Sequence, residues 1–138
     1  MKIIVAGGRD FNNYNLLKHY LNKIINKEND IIICGDAQGT DMLGAQWAVY
    51  NNVPIHHFPA YWNQYGKSAG FIRNAEMGEF ADAAILFWDG KSKGTAHMIK
   101  TMKLKKKPYI IFNYKGNRVD DKGMEVEKDA DYNLAVPW

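Results

Sequence analysis

Five short apolar runs punctuate the chain: KIIVAG (2–7), DIIICG (30–35), PIHHFP (54–59), DAAILFW (82–88) and PYIIFN (108–113). The segments between them carry helical rather than strand periodicity. In the first, Leu17, Tyr20, Leu21, Ile24 and Ile25 share one face, with Asn12 or Asn13 placed to cap it. In the second, Leu43, Trp47 and Tyr50 do the same. The third, 67–80, is weakened by Gly70 and Gly78, and the fourth runs through GTAHMIKTMKLKKK. The order is β-α-β-α-β-α-β-α-β. Because the strands are continuous apolar runs and do not alternate, both faces of their sheet must be covered. A parallel sheet sandwiched between helices is the fold that follows.

A chain of 138 residues holds one sizeable core. The expectation is a single domain over 1–138, with its core at about 2–113 and an extension at 114–138. That extension has no sustained period and reads as a surface hairpin or tail, with Trp138 packed back on the body. No apolar run approaches the roughly 18 residues of a membrane span. The opening MKIIVAGG stops at glycines and reads as a strand, not a leader. The single cysteine, Cys34, excludes an internal disulfide and fits a reducing cytoplasm. Its place inside DIIICGD suits a buried strand residue better than a nucleophile. Residues 90–119 hold nine Lys/Arg and no Asp/Glu, whereas 120–131 hold six acids. Lysines at a helix end suit its negative dipole, and this is the preferred reading over a polyanion patch.

In a parallel sheet every strand-to-helix loop emerges at one edge, where ligands bind at the reversal of strand order. The four loops there are AGGRDF (6–11), CGDAQGTD (34–41), FPAYWNQYGKSAGFIRN (58–74) and WDGKSKGT (88–95). All are glycine-rich and together they concentrate the charged residues, while the opposite edge has plain turns. Two Gly-Lys-Ser tripeptides lie among them, at 66–68 and 90–92. Neither is a P-loop, because the required first glycine falls at Tyr61 in one and Ile85 in the other. Gly7 and Gly8 permit close backbone approach, and Arg9 offers a fork to phosphate or carboxylate, or else pairs with Asp10 or Asp41. Gly39, Thr40 and Asp41 open a helix, with free amides for an anion and a carboxylate for ribose hydroxyls or for the helix dipole. Gly94 and Thr95 open another, where Thr95 serves as a cap alone or also as a phosphate donor. Tyr61, Trp62 and Tyr65 either stack on a base or cover one end of the core. His56 and His57 point to opposite sheet faces, and no Cys/His/carboxylate spacing matches a metal site, so neither metal nor cofactor is expected.

The motifs AGGRDF, GDAQGTD, FPAYWNQYGKSAGFIRNAEM and DGKSKGTAHM, in this order, resemble the YspA-like branch of the SLOG superfamily over about 2–113. The stretch Trp62–Met77 is the most specific part. The resemblance implies an α/β Rossmann-like three-layer sandwich with a mostly parallel five-stranded sheet and an irregular tail or hairpin. It also implies a nucleotide or ADP-ribose-like ligand lined by Gly8, Arg9, Gly39, Asp41, Lys67, Arg73, Asn74, Gly94 and Thr95, and self-association as a dimer or higher oligomer. Two departures stand out. Gln38 replaces an arginine common in the branch. The related Lonely-guy phosphoribohydrolases carry a glutamate in a Gly-Gly-x-Gly-Thr-x-x-Glu loop, and Met98 stands at that position here. A thioether is no general base, although Asp41 or Glu76 could substitute. The leading expectation is therefore a binding module with Trp62 or Tyr61 on the base. N-glycosidic hydrolysis of nucleotides stands second, and single-stranded nucleic-acid binding through the lysines at 100–107 third.

Overall fold

The described residues, 1–126 and 136–138 of a computed structural model, form six strands. They are β1 (Lys2–Gly7), β2 (Ile31–Cys34), β3 (Ile55–His57), β4 (Ala83–Phe87), β5 (Tyr109–Phe112) and β6 (Arg118–Val119). Between them lie α1 (Tyr14–Ile24), α2 (Thr40–Tyr50), α3 (Trp62–Tyr65), α4 (Ala69–Phe80) and α5 (Lys93–Leu104). The strands make one sheet of order β3-β2-β1-β4-β5-β6. Five are parallel, and β6 pairs antiparallel with β5. The chain steps outward from β1 to β3, crosses back to place β4 beside β1, and continues to β5. Strand order therefore reverses between β1 and β4.

The period of two in β1 divides the core. Ile3 and Val5 pack with Leu17, Leu21 and Trp47 from α1 and α2. Ile4 and Ala6 pack with Met77, Met98 and Met102 from α4 and α5. Every residue of β4 is buried, as a strand covered on both faces requires. Asn13 caps α1 by accepting the Leu16 amide at 3.1 Å. Trp47 is fully buried and donates its indole N–H to Asn22 Oδ1 at 3.0 Å, tying α2 to α1.

Four expectations shift. The third strand shrinks to 55–57. The helix expected over 67–80 starts two residues later, as α4 at Ala69–Phe80, and is preceded by a 3-10 turn at Gly66–Ser68 and by α3. Tyr50 is 66% exposed, not part of the α2 core face. The extension supplies β6 as a sixth strand. Trp138 and Val136 pack against the α1–α2 side of the core, and the part of the extension at 127–135 lies outside the described residues.

The basic run becomes a set of tethers. Lys103 meets Asp121 at 2.7 Å and Lys105 meets Glu79 at 2.6 Å. Lys107 donates to the carbonyls of Gly78 and Glu79, both at 2.8 Å.

Gly78 looked like a weakness of its helix, yet it is where α4 touches α5. A Cβ there would lie 2.6 Å from Thr101 Cγ2, a stiff branched side chain. At Gly70 the nearest atom, on Trp62, would be 3.4 Å away. Gly78→Ala should therefore destabilise by about 1–3 kcal/mol despite its gain in helix propensity. Gly70→Ala should be neutral or stabilising by up to about 1 kcal/mol. Urea unfolding of the two variants measures the contrast.

Candidate functional site

The carboxyl ends of β1 and β4 open into a cavity of about 430 Å³, a size ordinary for small-molecule sites. The loop after β1 gives it Arg9 and Asp10, and the start of α2 gives Asp41. The α3–α4 segment gives Trp62, Lys67, Phe71, Arg73 and Asn74, and the loop entering α5 gives Asp89, Ser92, Gly94 and Thr95. Seven of the ten expected ligand residues thus share one wall. Met98, 1% exposed, also lines it, so a thioether forms part of the cavity face.

The structure does not bring Gly8, Gly39 or Thr40 to the cavity, and the reason is internal hydrogen bonding. Gly8 donates its amide to Phe87 O at 3.0 Å. Its carbonyl accepts both the Thr40 amide at 3.2 Å and the Thr40 hydroxyl at 3.0 Å. Tyr114 lies over Gly8, where a Cβ would come within 1.7 Å of its hydroxyl oxygen, and donates to Asp10 Oδ1 at 2.5 Å. Gly39 has φ +76, and a Cβ there would sit 2.4 Å from Gly8 O, so it lets α2 start against the β1 loop. These bonds join β1, β4 and α2 and occupy the Gly8 amide and both donors of Thr40. Tyr61 is 56% exposed and also stands outside the cavity wall, leaving Trp62 as the foreseen aromatic that lines it. Glu76 is exposed and lies away from the wall.

The start of α5 differs from that of α2. Its first intrahelical bond runs from the Ala96 amide to Ser92 O at 3.1 Å. The amides of Gly94 and Thr95 precede it and take no acceptor among the described residues, as in any open first turn. Thr95 is 3% exposed and donates its hydroxyl to Ser92 Oγ at 3.3 Å, outside any side-chain cap of the helix. Asn74 fixes this turn by donating to Gly94 O at 3.1 Å.

Charges around the cavity are arranged unequally. Asp89 is partly desolvated, yet the amides of Ser92 and Lys91 hold its carboxyl below the usual range. Asp10 is held by Tyr114. Asp41 is 4% exposed and accepts the Ala37 amide at 3.3 Å. Burial pushes its carboxyl up to about 6, against the pull of the Arg73 guanidinium and the Ala37 and Gly7 amides. Arg73 donates Nη1 to Gly35 O at 2.6 Å, and its buried Nε has no partner. Lys67 makes no hydrogen bond or ion pair among the described residues, and Arg9 only faces the Trp62 ring at 5.9 Å. The three carboxylates are engaged while Lys67 and Arg9 are free, which favours an anionic guest.

Sequence reasoning passed over Phe71, which is 46% exposed, lines the cavity and packs on His97 at 4.7 Å. Its signal was an apolar residue between Gly70 and Arg73 in the first turn of a helix. Cys34 is 1% exposed, and burial pushes its thiol up to about 12, in keeping with the buried strand residue expected.

The family model described as the YspA, cpYpsA-related SLOG family matches residues 1–65. The gene 61 protein of Mycobacterium phage D29 is 34% identical over 92 residues, covering 62% of this chain and 73% of the phage protein. Among solved structures, DNA processing protein A (DprA) from Streptococcus pneumoniae shares the fold at a TM-score of 0.65 and 13% identity. That match covers 81% of this chain and 49% of the other, so this chain spans about half of that protein's length.

Asp41 predicts a pH signature. Its folded value of about 6 exceeds the ordinary 3.8. Its contribution to stability is therefore full below 3.8 and is lost as pH rises through about 6, by roughly 2–3 kcal/mol in all. Chemical denaturation of wild type and Asp41→Asn between these pH values should show the wild type losing stability relative to the variant as pH rises.

Proposed function

This chain belongs to the YspA, cpYpsA-related SLOG family, and from that premise we propose that it binds a nucleotide or nucleotide-derived ligand in the cavity between β1 and β4. The observation that carries this reading is the pairing of open amides at Gly94 and Thr95 with unengaged Lys67 and Arg9, and with Arg73 anchored on Gly35 O, around one cavity. A phosphate would sit on the first turn of α5, neutralised by Lys67 and Arg73. Trp62 and Phe71 offer flat apolar surface to a base, and Asp41 offers acceptors to ribose hydroxyls. Ligand sensing or sequestration is the use that suits a pocket whose wall carries Met98 in place of a carboxylate. Pairing of chains through helices would draw on the exposed Met42, Val49 and Tyr50 of α2.

Calorimetry against nucleoside mono- and diphosphates and ADP-ribose tests the reading. At least one should bind. Lys67→Ala or Arg73→Ala should weaken it by about 2 kcal/mol, roughly thirtyfold. Removing the charges of Lys103, Lys105 and Lys106 should leave nucleotide affinity unchanged, because Lys103 and Lys105 are engaged elsewhere. Binding by none of these ligands would overturn the proposal. Strong, salt-sensitive binding of single-stranded DNA lost with those lysines would favour the nucleic-acid reading instead.

One observation favours a second reading. The Asp41 carboxyl at about 6, near Arg73, is suited to proton transfer close to neutral pH. On this reading the chain hydrolyses an N-glycosidic bond of its nucleotide. Free base should then accumulate from a nucleoside monophosphate, and Asp41→Asn should abolish it; no release at high protein concentration rejects this reading.

A further inference from the structure

A second cluster lies along the same sheet edge, on the far side of Arg73. Cys34 ends β2 and His57 ends β3, and the two are register partners in the parallel ladder. Paired residues of neighbouring strands project to the same face, so the thiol and the imidazole stand side by side. His56 goes to the opposite face, where it packs on Phe58 and Phe80. The division that seemed to argue against a histidine metal site is what frees His57 to meet Cys34. Asp36, two residues beyond Cys34, has φ +59. Its carboxylate Oδ1 lies 2.6 Å from His57 Nδ1 and 3.5 Å from Cys34 Sγ. One ligand atom from each of the three residues falls within 4.8 Å of the others.

We propose that Cys34, Asp36 and His57 form a binding site for one divalent transition-metal ion of the zinc class, with an oxygen of solvent or of a bound ligand completing the coordination.

The donor set selects the metal. Thiolate and imidazole favour zinc, cobalt or nickel over magnesium or calcium, which take oxygen ligands. Geometry agrees. Tetrahedral bonds of about 2.3 Å to sulfur and about 2.1 Å to oxygen separate those two atoms by roughly 3.6 Å, close to the 3.5 Å between Cys34 Sγ and Asp36 Oδ1. The His57–Asp36 contact is a direct hydrogen bond and would open by somewhat under 1 Å to admit the ion. That movement is open to them, because the His57 and Asp36 side chains are 51% and 41% exposed, while Cys34 gives a fixed point in the sheet. Burial keeps the thiol protonated without metal, so binding would release its proton to solvent.

The surroundings supply an entry and a partner for the open position. Asp36 lines a cavity of about 390 Å³ together with Arg9, Trp62 and Arg73. The latter three also line the cavity between β1 and β4. An ion held by Asp36 would therefore stand beside a cationic groove, where an oxygen of an anionic ligand could take its fourth position. The cluster stands without the nucleotide proposal, since its probe is the metal alone.

Cobalt titration of the chelator-treated full chain tests it. One equivalent of Co²⁺ should produce a thiolate-to-cobalt charge-transfer band with visible d–d bands, both displaced by Zn²⁺. His57→Gln and Asp36→Asn, at exposed side chains, should each weaken binding at least about tenfold, the lower bound for losing even a supporting partner. Cys34→Ser should abolish the charge-transfer band. Should that buried variant fail to fold, the two exposed variants still decide. Zn²⁺ should also raise the melting temperature of the wild type and not of His57→Gln. No band in the wild type, or a band of unchanged affinity in both His57→Gln and Asp36→Asn, overturns the proposal.

Discussion

Parallel pairing of β1 with both β2 and β4 is the constraint on which the rest depends. It places one strand at the centre of the sheet, buried on both faces, and sends the chain away from it in two directions. Loops after β1 and β4 must then diverge, and a cleft opens between them. The Gly8 carbonyl secures this arrangement by accepting both the amide and the hydroxyl of Thr40. The Gly8 amide binds Phe87 O at the end of β4. One residue thus holds two strands and a helix together, and its polar groups are satisfied before any ligand arrives. A parallel αβ sheet has several strand-to-helix loops at its ligand edge, but here they divide the work. Gly8 and Thr40 are tied to each other and to β4, and the amides of Gly94 and Thr95 at the start of α5 take no acceptor among the described residues.

This division explains what was legible in the sequence and what was not. Buried parallel strands are unbroken apolar runs, so β1, β2, β4 and β5 could be read almost to the residue. The third strand carries two histidines and lies at the sheet edge, and its ends frayed from the expectation. The gathering of Arg9, Asp41, Lys67, Arg73, Asn74, Gly94 and Thr95 followed from topology, because chain direction alone sends those loops to one edge. Which amides remain free did not follow. Gly8, Gly39 and Thr40 have the composition of an anion site, and only the hydrogen bonds of the structure show that the Gly8 amide and both Thr40 donors are occupied. Gly78 reads as a poor helix residue until α5 is seen against it. The proximity of Cys34, Asp36 and His57 depends on strand register, which no local spacing encodes.

The cleft balances three cations against three carboxylates, so its formal charge says little. What separates the two sets is engagement. Asp10 holds Tyr114, Asp89 holds backbone amides, and Asp41 is buried against amides near Arg73. Lys67 and Arg9 have no such anchors. Met98 sharpens the same picture, since it places polarizable apolar surface beside the open turn of α5 where a carboxylate would have opposed a phosphate. On the proposed reading the cleft receives an anion with a flat apolar portion, beside the buried Asp41 whose carboxyl is raised by burial.

The central claim is that the anion sits on the first turn of α5 and not on the glycine loop after β1. An amide NMR titration with ADP tests it residue by residue. The account predicts that the amide resonances of Gly94 and Thr95 shift most and saturate together, while those of Gly8 and Thr40, already bonded to Phe87 and Gly8, stay nearly still. Saturating shifts centred on Gly8 and Thr40, with Gly94 and Thr95 unmoved, would contradict it.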